Sequence, residues 1–129
     1  MSDPWPQGAQ FHPQGGPTTP TAVLPKQGII VTELAGERAV AMAMTPTDQG
    51  ALASLGFQLW NGEHRRAITS TEDRITLIHA LIDIGALFSS GRDWCPAEVV
   101  AHYRDSGRVD RPYWVIAWTG PKTFSIRPA

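Results

Sequence analysis

Cysteine is almost absent. Cys95 is the single one in 129 residues, so an internal disulfide is excluded and nothing marks an oxidising compartment. Histidine is sparse too: His12, His64, His79 and His102 show no close ligand spacing among themselves or with Cys95, so no metal site is read. There is no G-x-G-x-x-G or P-loop pattern; Gly15 and Gly16 adjoin but lie among prolines, so no cofactor is expected. No excess of either charge exists. Eleven Lys and Arg stand against twelve Asp and Glu, a net charge of −1. Such a chain has no global field to draw it onto nucleic acid or an acidic membrane. Charged residues are only 18% of the whole, and no apolar run is long enough to cross a bilayer. The N-terminus lacks a basic segment followed by an apolar one, so no signal peptide is read. The expectation is a cytoplasmic protein without a membrane partner, and the residue usage fits a bacterial or phage source.

What the sequence does have is a helical stretch at residues 70–90. Ser70 or Thr71 can cap it, and Glu72 and Asp73 place negative charge in its first turn, where the helix dipole favours it. Its apolar residues, among them Ile75, Ile78, Leu81, Ile82, Leu87 and Phe88, cover most of the circumference. A helix so apolar is buried on several sides. His79, Asp83 and Gly85 interrupt it.

Residues 1–27 are rich in Pro, Gly and Gln, with Pro4, Pro6, Pro13, Pro17, Pro20 and Pro25 spread along them. They read as a disordered tail, because such a segment buries too little to offset its ordering entropy. Trp5 and Phe11 give it two points at which it could fold onto a partner. Residues 28–129 read as one α+β domain.

Three hairpins are expected. In residues 28–44, a β-branched strand leads through Ala35, Gly36 and Glu37 into an alternating strand. Val40, Met42 and Met44 are expected to face the core, with Ala39, Ala41 and Ala43 opposite. In residues 57–68, Asn61 and Gly62 predict a type I′ turn that pairs Trp60 with Glu63 and Leu59 with His64. In residues 113–126, Trp114 and Trp118 share one strand face and Tyr113, Val115 and Ala117 the other. Thr47 or Asp48 is expected to cap a short helix ending at Leu55 and stopped by Gly56. Pro96 opens another, with Val99, Val100 and Tyr103 on its apolar stripe. The expected order is ββ-α-ββ-α-α-ββ: an antiparallel sheet of about three hairpins packed against a buried central helix and a second, shorter helix.

Three functional readings compete. The first is a non-catalytic accessory or adaptor that binds another protein, or itself, through an aromatic sheet surface. Its binding residues are Trp114, Trp118, Trp60 and Arg65, and five tryptophans in so short a chain support it. The second is a cysteine-dependent enzyme in which Cys95, at a helix start, is the nucleophile, His79 the base and Asp83 the orienting group. A lone cysteine beside Trp94 and Pro96 is more often a small core residue, so no catalytic residue is assigned. The third is a single-stranded nucleic-acid binder using Trp60, His64, Arg65 and Arg66. Against it, the helix that would enter a groove exposes Glu98 and Asp105 to the phosphates. The sequence favours the first.

Overall fold

The structure, a computed structural model, describes residues 28–91, 94–119 and 123–129. The expectation of a disordered tail at 1–27 therefore falls outside the described residues.

The chain opens with β1 (Ile29–Glu33) and β2 (Arg38–Ala43), paired antiparallel. α1 (Pro46–Ser54) follows. Its cap is Thr45, two or three residues earlier than read above: the Thr45 Oγ1 accepts from the Asp48 N–H, and Pro46 takes the first helical position. Gly56, at φ +95°, ends it. β3 (Gln58–Trp60) and β4 (Glu63–Ala67) form the second hairpin. Asn61 and Gly62 both sit at positive φ, as a type I′ turn requires, and Trp60 pairs with Glu63 and Leu59 with His64.

α2 (Thr71–Asp83) starts at the Ser70 cap. It ends seven residues before the sequence pattern suggested. Gly85, at φ +81°, breaks it, and residues Leu87–Ser90 form a strand, β5. Leu87 and Phe88 belong to that strand and not to the helix. α3 (Pro96–Asp105) then leads to β6 (Trp114–Trp118) and β7 (Phe124–Pro128). The order is thus ββ-α-ββ-α-β-α-ββ.

All seven strands form one sheet, β3-β4-β2-β1-β5-β6-β7. Most pairs are antiparallel, but β5 runs parallel to both neighbours, β1 and β6. The sheet is therefore mixed, not purely antiparallel. The reason is β5 itself: α3 carries the chain back over the sheet to β6, and a crossover of this kind joins parallel strands.

The main core lies between the helices and one sheet face. It gathers Ile29, Val31 and Phe88 from the strands with Leu52, Ile78, Leu81 and Val100 from the helices. Ala39 and Ala41 are fully buried on this face; on the other, Val40 is fully buried as expected, but outside the main core, while Met42 and Met44 are 42% and 74% exposed. The expected orientation of β2 is reversed. Size does not decide which side of a strand is inside. Alanines let the helix layer approach the sheet closely, and the helix layer defines the core.

Candidate binding surface

Residues opposite each other in a ladder point to the same side of the sheet, so the registers assign the face away from the helices. Ile30 stands opposite both Met42 and Leu87, Leu87 opposite Trp114, Ile116 opposite Ile126, and Trp118 opposite Phe124. No described helix lies on this side. Leu87, Trp114, Ile116 and Ile126 form a second apolar cluster there, distinct from the main core, with Ile30 and Phe124 packed against it.

The three outward residues of β6 differ sharply. Trp114 is 4% exposed, Ile116 1% and Trp118 51%. Trp118 packs edge-on against Phe124, with ring centroids 5.4 Å apart. Beside that pair runs an apolar groove of about 400 Å³, lined also by Gly28, Ile30, Met44 and Ile126. Trp60 and Arg65 share this sheet face, but on β3 and β4 at its far end. Five inter-strand steps separate β3 from β6 and β7 lies beyond, so Trp60 is on the order of 24 Å from the Trp118 strand. Arg65 is engaged by Glu63, Nη2 to Oε1 at 3.1 Å. The four residues singled out from the sequence thus lie on one face, and the apolar groove opens at its β6 end.

His64 and Arg66 point the other way. His64 is opposite Ala41 and buried on the helix side, its Nδ1 without a hydrogen-bond partner among the described residues. Arg66 donates two hydrogen bonds to the Asp73 carboxylate, at 2.9 and 3.2 Å. The Thr69 N–H donates to the same carboxylate. Together these contacts hold the Asp73 carboxyl down to about 2, from 3.8, with the Arg66 hydrogen bonds as the main cause. The proposed nucleic-acid quartet is therefore split between the two sides of the sheet.

Cys95 is buried at the start of α3, and its side chain makes no capping bond. Two surface hollows meet it. Glu98, Tyr113 and Arg127 line one, Thr32, Glu33 and Leu34 the other, and neither has a histidine among its described lining residues. Asp83 pairs with Arg111, and the half-buried His79 leaves Nε2 without a partner among the described residues. No hydrogen bond links Cys95, His79 and Asp83 among the described residues, so the nucleophile, base and orienting group are not assembled. The described residues contain no group of three or more metal-ligating side chains, and no described helix is long and apolar enough to cross a membrane.

The sequence reading missed Ile30, Met44 and Phe124 as surface-forming residues. A signal for Phe124 existed: a hairpin through residues 119–123 places it across from Trp118. None existed for Met44 once β2 was turned the wrong way. Among the described residues the fold is thus a mixed α/β layer structure, with helices over one sheet face and none over the other. Compared with known proteins, the chain matches no protein-family model, no curated protein and no solved structure.

Proposed function

We propose that this chain is a non-catalytic accessory or adaptor protein that binds another protein, or a second copy of itself, through the β6–β7 end of the helix-free sheet face. The observation that carries the reading is the half-exposed Trp118 packed edge-on against Phe124 at the rim of an apolar groove. A water-exposed indole set in a concave apolar surface is the feature that anchors protein interfaces. Acidic or basic partners are not selected by this patch, since none of its named residues is charged. Met42 and Met44 extend it with flexible thioether side chains that adapt to a partner's shape.

The test is site-specific photo-crosslinking in the native host. A benzophenone side chain replaces Trp118 in one variant and Asp105, on the outer side of α3, in another. Discrete adducts from position 118 and none from position 105 support the reading. Equal adducts from both positions, or none from 118 in a folded protein, overturn it.

A further inference from the structure

We infer that the free edge of β3 is a self-association site, where a second copy of this chain adds its own β3 antiparallel, about a two-fold axis at Leu59. Among the described residues, β3 and β7 are the two outer strands of the sheet. An outer strand offers unpaired N–H and C=O groups to any strand that reaches it. The two edges differ. At the β7 edge, Tyr113 and Ala129 exchange both backbone bonds, so by the alternation of the ladder the outward groups are those of Phe124, Ile126 and Pro128. Pro128 has no N–H to give, and Arg127 puts a charge on the strand. β3 is Gln58-Leu59-Trp60, with no proline, no charge and no bulge in its register. It carries none of the devices that keep sheet edges apart.

The chemistry of this edge fits a second copy. The type I′ turn bonds Trp60 to Glu63, so the alternation directs the Leu59 N–H and C=O outward. On a two-fold axis each Leu59 donates its N–H to the carbonyl of the other. An axis normal to the sheet makes the two strands antiparallel, and Trp60 then stands opposite the second copy's Gln58. Within one copy, Glu63 flanks Trp60 and Arg65 flanks Gln58. Each row across the joint therefore runs Glu63 and Trp60, then Gln58 and Arg65 of the second copy. An acid closes one end, a base closes the other, and no like charges are opposed. Leu59 is 64% exposed and Trp60 58%, and the joint removes apolar surface of both from water on opposite sides of the sheet. Three-residue strands bury less than a standard interface, so the dimer is weak and its population follows concentration. The inference does not rest on the adaptor reading, whose groove lies at the other end of the sheet.

The experiment is sedimentation equilibrium of the full chain over a roughly hundredfold range of concentration. Leu59→Lys and Trp118→Ala are measured beside it, with circular dichroism to show that each is folded. Leu59→Lys sets two ammonium groups against each other on the axis. The expected result is a monomer–dimer equilibrium in the unsubstituted chain, kept in Trp118→Ala and weakened by roughly tenfold or more in Leu59→Lys. A chain that stays monomeric throughout overturns the inference. So does a dimer that survives Leu59→Lys unchanged, or one lost in Trp118→Ala, which would place the joint at the groove. A second measurement needs no variant. With labelled and unlabelled copies mixed, isotope-filtered NMR should show cross-peaks between Leu59 methyls of different copies, and an associating chain that lacks them refutes the joint.

Discussion

At the scale of single residues, two tryptophans that look equivalent in the sequence have opposite roles. Trp114 belongs to the second apolar cluster, and its replacement by Ala should destabilise the fold by about 3–5 kcal/mol. Trp118 is half exposed, and Trp118→Ala should cost under about 1 kcal/mol of stability. Thermal melts of both variants check this, and similar losses in the two would show that Trp118 is core. Asp73 supplies a second residue-scale prediction. Its carboxylate holds Arg66 and the Thr69 N–H just beyond the start of α2, so Asp73→Asn should cost about 1–2 kcal/mol at neutral pH. The carboxyl titrates at about 2 in the folded chain, below its ordinary 3.8. Its contribution is therefore complete above the ordinary value and lost as pH falls through the folded one. The gap in melting temperature between wild type and Asp73→Asn should close as pH is lowered from about 4 to about 2. A gap that stays constant would refute the linkage.

At the scale of elements, the hairpins and helix starts were legible because local chemistry decides them. Asn61 and Gly62 specify one turn, Ser70 a cap and Pro96 a first helical position. β5 was not legible. Leu87 and Phe88 continue the apolar pattern of α2 without a break other than Gly85, and their strand exists through long-range pairing with β1 and β6. Nor was the orientation of β2, because alternation shows that a strand has two faces and leaves open which one meets the helices. Of the candidate site, the shared face of Trp60 and Arg65 followed from the hairpin register. The difference between Trp114 and Trp118 depends on what lies over each. The reversed β2 yields its own prediction. Ala41→Leu should overpack the helix side and cost about 1–3 kcal/mol, while Met42→Ala should be nearly neutral for stability. Chemical denaturation of the two variants checks this, and the opposite ranking would restore the sequence-based orientation.

At the scale of the whole molecule, the sheet divides the chain's chemistry. Among the described residues, one side carries three helices and the main core; the other carries an apolar cluster, a groove and an exposed aromatic pair. Cys95 sits on the helix side at the start of α3, away from that pair, so Cys95→Ser should leave partner binding intact with a modest stability loss. Loss of binding in that variant, with its fold preserved, would reopen the cysteine-based reading. The most direct measurement of the account is the affinity of purified Trp118→Ala for the partner, or second copy, trapped through position 118, compared with wild type and Arg65→Ala. A hot-spot tryptophan contributes about 2 kcal/mol or more, so Kd should weaken by roughly 30-fold or more in Trp118→Ala. It should change little in Arg65→Ala and little between about 50 and 200 mM salt. Unchanged affinity in Trp118→Ala, or a steep loss with salt and with Arg65→Ala, would contradict the assignment of the β6–β7 end as the binding surface.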